Sequence, residues 1–338
     1  MSSSDPSHPG RRRLLTVEDY VTGVRTGDVA ILARALTLIE SSNPKHQAVA
    51  EALLTRLLPH TGLSVRVGIT GVPGVGKSTF IDALGIHLVG RGRRVAVLAV
   101  DPSSGISGGS ILGDKTRMPR LAVEPAAYIR PSPAAGTLGG VARKTRESML
   151  VCEAAGFEVI LIETVGVGQS ETVVADMTDC FLALMLPGAG DELQGIKRGL
   201  LEWVDVIAVN KADGPTRLAA ELAAGQYRLA LESLAGRQGE PPAVLTCSAL
   251  EQHGVDAVWE AVQRCHNHRA ASGELTVRRQ RQNLSWLWAL VEDQLRQAVH
   301  THPAVRAIRE ELERDVLAGI MPAAVAARRI LEAFGLRP

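Results

Sequence analysis

The middle of the chain alternates between short apolar runs and longer segments in which apolar residues recur at helical spacing. The short runs are rich in β-branched residues and end at polar or turn-forming residues. This alternation of the two patterns is typical of a chain in which strands and helices alternate. We therefore predict an α/β domain with a mostly parallel central sheet flanked by helices on both faces. The predicted strands are VRVGIT, RRVAVLAV, AAYIRP, FEVILIET, CFLALML, DVIAVN and AVLTCS.

Helical patterns flank this domain on both sides. Residues 17–58 carry apolar positions at roughly helical spacing, with a break at Pro44, and predict an N-terminal helical segment. Residues 278–336 are helical again and carry a broad apolar stripe, which needs cover from the preceding domain or from a second copy of the chain. We favour a homodimer built from these helices. The stripe comprises Leu284, Leu287, Trp288, Val291, Leu295 and Ala298, widened by Trp286 and Leu290.

These patterns divide the chain into four segments. Residues 1–14 are rich in Ser, Pro, Gly and Arg and are expected to be disordered. An N-terminal helical segment covers residues 15–62, and the α/β domain covers residues 63–270. Residues 271–338 form the predicted helical dimerisation segment.

Composition narrows the class of protein. Of the 338 residues, 46% are hydrophobic, enough for one large domain with additions or for two modest domains. The net charge of +1 gives no overall electrostatic field that would favour binding to nucleic acid or to an anionic membrane. The four cysteines form no CxxC pair, so we expect reduced, mostly buried thiols. No apolar run reaches secretory or membrane-spanning length, so we expect a cytoplasmic protein.

The stretch TGVPGVGKST, residues 70–79, lies between the first predicted strand and a helix that begins near Ser78. It matches G-x-x-x-x-G-K-S/T, a loop whose backbone N–H groups surround a β-phosphate at a helix N-terminus. Lys77 would add positive charge toward the β and γ oxygens. The predicted nucleotide contacts are Gly71, Gly74, Val75, Gly76, Lys77, Ser78 and Thr79.

Oxygen ligands for Mg²⁺ are predicted around the same loop. The Ser78 hydroxyl can ligate Mg²⁺, which also needs one or two carboxylates besides the phosphates. Asp101 and Glu163 each close an apolar strand, so both should reach the edge of the sheet where the loop lies. Asp114, in GDKTRM, is a third candidate.

Two further strand ends indicate which base is bound. NKAD begins at Asn210 and supplies Lys211 and the Asp213 carboxylate, which can accept from N1–H and the exocyclic amine of guanine. Adenine offers an acceptor at N1 and would leave that carboxylate unpaired. CSAL contains Ser248, Ala249 and Leu250, and the backbone N–H of Ala249 could face the guanine oxygen. The two motifs together favour GTP and GDP over ATP and ADP.

Several longer stretches of the sequence resemble a known protein family. Ras-like switches have D-x-x-G where this chain has ETVG from Glu163, and glutamate there resembles GTPases that deliver metals and metallocofactors. Four strings, at residues 100–118, 130–147, 163–171 and 188–199, are similar to the MeaB/ArgK family. Those GTPases are associated with methylmalonyl-CoA mutase, an adenosylcobalamin enzyme. The resemblance covers nearly all of residues 14–338.

The resemblance implies a P-loop fold and a homodimeric G-protein chaperone whose C-terminal helices form the dimer contact. Such a protein binds methylmalonyl-CoA mutase or a related acyl-CoA mutase and hydrolyses GTP slowly alone and faster in complex. It gates transfer of adenosylcobalamin from a cobalamin adenosyltransferase and protects the mutase. The family's magnesium and switch positions match Ser78, Asp101, Asp114 and Glu163, and its third switch matches Gln194 and Lys197.

The chain itself is not expected to bind cobalamin, because it has no D-x-H-x-x-G string that would supply a cobalt-ligating histidine. Fast GTP hydrolysis needs a transition-state cation, which nothing in ETVGVGQ supplies. Lys197 or Arg198, in the glycine-bounded GDELQGIKRG, could approach the γ-phosphate when a partner binds, although a solvated helix face is an equal alternative. Gln169 could orient the attacking water, and the alternative is that Glu163 acts on the water or through the metal.

Three alternatives stay open. A nickel-delivery GTPase of the hydrogenase or urease maturation type calls for clustered Cys and His ligands, whereas the histidines near Cys247 and Cys265 form no rich tract. A kinase or transport ATPase would use the same loop but not the guanine motifs. A scaffold with an inactive site is disfavoured because Lys77, Ser78 and both strand-end carboxylates are present.

Overall fold

The architecture is taken from a computed structural model. It describes residues 15–41, 43–100, 117–131, 138–164, 170–187, 203–235 and 241–336. Asp101, Asp114, Gln169, Gln194 and Lys197 lie outside the described residues.

Seven strands form a single sheet in the order β3-β2-β4-β1-β5-β6-β7. All the pairings between these strands are parallel. Each strand coincides with one of the predicted apolar runs, so the predicted α/β class with a parallel sheet is confirmed. The strands are β1 Val65–Gly71, β2 Val95–Val100, β3 Ala127–Arg130, β4 Val159–Thr164, β5 Cys180–Met185, β6 Val206–Val209 and β7 Ala243–Thr246.

Helices precede, connect and follow these strands, as the 3.6-residue pattern predicts. The helices are α1 Val17–Arg25, α2 Val29–Glu40, α3 Pro44–Leu57, α4 Lys77–Gly90, α5 Leu138–Ala154, α6 Ser170–Ala175, α7 Arg217–Ala235, α8 Val255–Ala271, α9 Glu274–Thr301, α10 Pro303–Leu317 and α11 Ala323–Phe334. Short 3₁₀ turns occur at Leu58–His60, Leu121–Val123 and Gly214–Thr216.

The sheet separates two hydrophobic cores. Along β4, Ile160 and Ile162 belong to one core, and Val159 and Leu161 belong to the other, because successive side chains of a strand point to opposite faces. Helices α1, α2, α3, α5 and α7 bury residues in the first core, and α4 and α8 bury residues in the second. Cover on both faces explains why these strands are continuously apolar.

The N-terminal helices begin at residues that can satisfy their free N–H groups. Thr16 and Asp19 form a reciprocal capping box at the start of α1, and the Asp28 side chain accepts from two backbone N–H groups at the start of α2. The predicted break is confirmed: α2 ends at Glu40, and α3 begins with Pro44, where the missing N–H costs nothing.

At the edge of the sheet where the strands begin, a buried ion pair and hydrogen bonds link neighbouring elements. The Arg66 guanidinium, from β1, donates to both carboxylate oxygens of Glu153 at 2.7 and 2.9 Å. Both side chains are buried. Glu153 also accepts from the backbone N–H of Gly62 at 2.9 Å, and Asp179 accepts from the backbone N–H of Arg66 at 2.9 Å. These contacts tie α5 and the residue before β5 to the start of β1.

The described residues form two compact units, the first ending at Thr276 and the second beginning at Val277. Within the second unit, α10 and α11 pack on each other, with the His302 and Phe334 rings in edge contact at 5.3 Å. The predicted helical tail is confirmed. Among the described residues, we find no helix that is both long and apolar enough to cross a membrane.

Candidate functional site

The phosphate-binding loop connects β1 to α4 at the carboxyl edge of the sheet. Gly71, Gly74 and Gly76 all adopt positive φ angles, of 152°, 80° and 94°. A Cβ atom on Gly71 would lie 2.5 Å from the carbonyl oxygen of Leu184 on the neighbouring strand β5. Backbone conformation therefore favours glycine at all three positions, and at Gly71 the space does so as well. The loop delivers the chain directly into the N-terminus of α4.

Lys77 occupies the first position of α4 and folds back over the loop. Its ammonium donates to the carbonyl oxygens of Gly71 at 2.6 Å and Val72 at 3.3 Å. Burial lowers the pKa of Lys77 from its usual value, while the carboxylates of Glu163 and Glu171 act in the opposite direction. A buried ammonium held at the loop is suited to bind phosphate oxygens.

Ser78 and Glu163 meet beside the loop. The Ser78 hydroxyl donates to Glu163 Oε1 at 3.1 Å. Glu163 reaches this position because β4 pairs with β1 in a register that sets it opposite Ile69. A hydroxyl and a carboxylate are hard oxygen donors of the kind that Mg²⁺ prefers, so these two residues fit a magnesium site. Asp101 and Asp114, the other predicted ligands, lie outside the described residues.

Asn210 joins the base-reading motifs to the phosphate loop. Its side-chain amide donates to the carbonyl oxygen of Val75 at 2.8 Å, and its Oδ1 accepts from the backbone N–H of Ala249 at 3.0 Å. Next to it, the Lys211 ammonium donates to the carbonyl oxygen of Gly74 at 2.8 Å. NKAD, CSAL and the phosphate loop thus form one hydrogen-bonded group.

The backbone N–H of Ala249, which we predicted could face a guanine oxygen, donates in this structure to the Asn210 side chain. The reason is that β6 and β7 are adjacent and in register, which brings the residues after them within hydrogen-bond distance. The contact of Ala249 with guanine stays a prediction. Leu250, also predicted to contact nucleotide, is 79% exposed.

Asp213 lies half-buried at the same edge, with its carboxylate held by Ser248. The Ser248 hydroxyl donates to Asp213 Oδ2 and accepts from the backbone N–H of Glu251 at 3.1 Å. A carboxylate has about four lone-pair sites, so one accepted bond leaves capacity for further donors. Ser248 orients the carboxylate that we predicted to read the base.

Two residues near the loop were missed by the sequence analysis. Glu171, on α6, is buried, and its charge raises the pKa of Lys77, while the charge of Arg117 lowers it. Glu171 belongs to the ETVGVGQSE string, but its spacing from Glu163 matches no motif that we used. Arg117 lies among several isolated charges, none of which stands out in the sequence.

Comparison with known proteins decides the family. The family described as "Methylmalonyl Co-A mutase-associated GTPase MeaB" matches residues 32–304. The chain belongs to this family. Escherichia coli "GTPase ArgK" is 50% identical over 281 residues, covering 83% of this MeaB-family chain and 85% of its own length.

Other relatives extend over more of the chain. A Mycobacterium tuberculosis H37Rv protein named "Probable GTPase Rv1496" is 56% identical over 323 residues, covering 95% of this MeaB-family chain and 96% of its own. A mouse protein named "Methylmalonic aciduria type A homolog, mitochondrial" is 44% identical over 332 residues, covering 95% of this chain and 80% of its own length. A crystal structure described as "LAO/AO transport system kinase" superposes with a TM-score of 0.76 at 38% identity, covering 96% of this chain and all of that one.

The Asn210 bridge gives a stability prediction for this MeaB-family protein. Asn210→Ala should leave two buried backbone groups unpaired, each at a cost of about 1–3 kcal/mol, so the free energy of unfolding should fall by about 2 kcal/mol or more. Urea unfolding without nucleotide measures the change. Asn267→Ala, at an exposed position of α8, is the matched control and should change stability by less than about 0.5 kcal/mol. Equal effects of the two substitutions would contradict the bridging role.

Proposed function

We propose that this protein hydrolyses GTP to GDP and phosphate as a chaperone of an adenosylcobalamin-dependent mutase. The mutase is methylmalonyl-CoA mutase or a related acyl-CoA mutase, and the chaperone gates its cofactor loading and protects or reactivates it. Membership of the MeaB family supports the association with methylmalonyl-CoA mutase. A cytoplasmic homodimer, and a cobalamin adenosyltransferase as second partner, belong to the same proposal. Cobalamin passes between these partners without binding this chain.

The position of Asp213 is the observation that carries the choice of nucleotide. Its carboxylate is oriented by Ser248 at the edge where Lys211 contacts the phosphate loop. Guanine presents N1–H and an amino group side by side, and a carboxylate can accept from both. Adenine presents an acceptor at N1, which would leave the carboxylate unpaired and bind much more weakly.

The remaining predicted residues take roles around the triphosphate. Lys77 holds the β and γ oxygens, while Ser78, Asp101, Asp114 and Glu163 hold the magnesium ion. When bound, Mg²⁺ neutralises negative charge between the β- and γ-phosphates.

Glu163 or Gln169 orients the attacking water. Lys197, in the glycine-bounded segment 188–199, supplies a second positive charge when the mutase binds, so hydrolysis is slow without the partner.

Base selectivity tests the nucleotide proposal. GDP should raise the melting temperature, since a ligand at 100 times its Kd stabilises a fold by about 2.7 kcal/mol, and ADP at equal concentration should not. Asp213→Asn should weaken GDP binding by roughly 10- to 100-fold, because an amide cannot accept from both guanine donors. It should favour xanthosine diphosphate, whose 2-oxo group accepts from the new amide. Calorimetric titration measures each affinity.

Asp256→Asn makes the same chemical change at an exposed position of α8 and should leave GDP affinity unchanged. Equal stabilisation by GDP and ADP would contradict the proposal and favour a kinase or transport ATPase, the function for which the crystallised relative is named.

The exposed stripe on α9 supports the homodimer. Leu284, Leu287, Trp288 and Leu295 are each more than half exposed in the single chain, which is unusual for so many large apolar side chains on one helix face. A second copy of the same helix would bury them. Val277, about two turns before Leu284, is also exposed and lengthens the stripe.

Sedimentation velocity tests this association. We expect the chain to sediment as a dimer and the double variant Leu287→Glu with Trp288→Glu to sediment as a monomer, because both charges would be buried at the contact. Ser285→Glu, an exposed position away from the stripe, should remain dimeric. A monomeric unmodified chain at micromolar concentration, or a dimeric double variant, would contradict the proposal.

Partner-stimulated hydrolysis tests the role of Lys197. Purified methylmalonyl-CoA mutase should accelerate GTP hydrolysis, measured as phosphate release. Lys197→Ala should lower the stimulated rate by at least about 10-fold, a small part of the roughly 10³–10⁵-fold that a transition-state cation supplies in other GTPases. Lys45→Ala, an exposed lysine on α3, should keep full stimulation.

Stimulation that survives Lys197→Ala would reject that residue's role alone. Absence of any mutase from a pull-down with a non-hydrolysable GTP analogue, combined with no stimulation by the purified enzyme, would reject the chaperone function.

A further inference from the structure

A cluster of two thiols and a carboxylate lies at the edge of the sheet away from the phosphate loop. Cys180 is the first residue of β5, Asp205 directly precedes β6, and Cys265 lies in α8. In the pairing of β1 with β5, Cys180 is opposite Val67, and Leu184 is opposite Gly71 of the phosphate loop. The cluster and the loop are therefore separated by most of the length of β5, which at about 3.3 Å per residue is more than about 10 Å.

The three side chains converge on one point. The two Sγ atoms and a carboxylate oxygen of Asp205 all lie within 4.8 Å of one another. Cys180 is fully buried and Cys265 is half-buried, so the cluster is accessible from one side. Among the described residues, no other group of His, Cys, Asp and Glu side chains meets this criterion. Ligand atoms around tetrahedral zinc are separated by somewhat less than this limit, since Zn–S and Zn–O bonds are about 2.3 and 2.0–2.2 Å.

The Asp205 carboxylate is held in place by contacts that do not involve the thiols. The Arg269 guanidinium donates to its two oxygens at 2.6 and 2.9 Å, and the backbone N–H of Phe181 donates to Oδ2 at 2.9 Å. Arg269 is itself anchored on the carbonyl oxygen of Asp179 at 2.6 Å. Hydrogen-bonded partners of this kind orient the ligands of metal sites in proteins.

We propose that Cys180, Cys265 and Asp205 bind one zinc ion, with a water molecule entering beside Cys265 as the fourth ligand. Thiolate sulfur selects soft or borderline cations, and Zn²⁺ accepts carboxylate oxygen as well as thiolate sulfur as a ligand. Two thiolates and a carboxylate carry three negative charges, which the zinc ion and the Arg269 guanidinium together neutralise. The ion joins the starts of β5 and β6 to α8 and so acts as a structural link.

Metal binding at this cluster would be coupled to proton release, because cysteine ligands bind a metal ion as thiolates. A cation that binds between the sulfurs takes the place of the protons and supplies the positive charge that the thiolates need.

A disulfide between Cys180 and Cys265 would explain fewer of the observed contacts than a zinc site does. It would use the two sulfur atoms and give no part to the carboxylate that converges with them. It would also leave unexplained why Asp205 is fixed by both a guanidinium and a backbone N–H. The zinc site uses all three groups. It is independent of the nucleotide, and neither its presence nor its absence bears on GTP hydrolysis.

Cobalt absorption tests the proposal on the full chain. Metal-free, reduced protein without nucleotide is titrated with Co²⁺, which reports thiolate ligands by a near-ultraviolet charge-transfer band and tetrahedral geometry by strong visible bands. We expect one Co²⁺ per chain with both signatures, and displacement by Zn²⁺. Cobalt held by oxygen ligands at the phosphate loop would give no charge-transfer band.

Cys265→Ser is the test variant, because Cys265 is half-buried and its replacement should fold. It should weaken cobalt binding by more than about 100-fold, since loss of even an outer partner of a metal ligand costs roughly 10- to 100-fold. Cys152→Ala removes a buried thiol of α5 outside the cluster and should keep both signatures.

A zinc-dependent rise in melting temperature that Cys265→Ser abolishes and Cys152→Ala retains would support a structural ion. An octahedral cobalt spectrum without charge transfer, a band that survives Cys265→Ser, or a Cys180–Cys265 disulfide in protein isolated without reductant would overturn the proposal.

Discussion

The nucleotide site depends on one side-chain amide. Asn210 donates to Val75, 135 residues earlier in the chain, and accepts from Ala249, 39 residues later. One planar group therefore fixes the distance between the loop that binds phosphate and the two segments that select the base. Gly76 makes this approach possible, since a Cβ atom there would lie 2.9 Å from the Asn210 amide nitrogen. Hydrogen bonds consequently join the phosphate loop and the base-reading segments into one surface.

That surface exists because the sheet is parallel and ordered with β1 at its centre. β4 and β5 flank β1, so the carboxyl ends of the three strands bring Glu163, the phosphate loop and Leu184 together. β6 and β7 then extend the same edge to Asn210 and Ser248. Residues far apart in sequence therefore become neighbours at one edge of the sheet.

Local patterns were sufficient to predict the strands, the phosphate loop and the approach of Ser78 to Glu163, because each depends on residues close together or on a strand end. The Ser248–Asp213 contact was not predictable, since it requires the register of β6 against β7. The same holds for the cysteines: spacing along the chain shows no metal motif, yet β5 and α8 place Cys180 beside Cys265. Tertiary register, which sequence periodicity does not encode, decides such contacts.

The two edges of the sheet differ in how their strands are held. At the edge where strands begin, the buried Arg66–Glu153 pair and the half-buried Arg269–Asp205 pair bind neighbouring elements to one another. Separating a buried pair costs several kcal/mol, about 3–5 when one partner is lost. These ion pairs therefore resist opening of the sheet from the end remote from the nucleotide site. Opening and closing of the site around a ligand does not need to involve that end of the sheet.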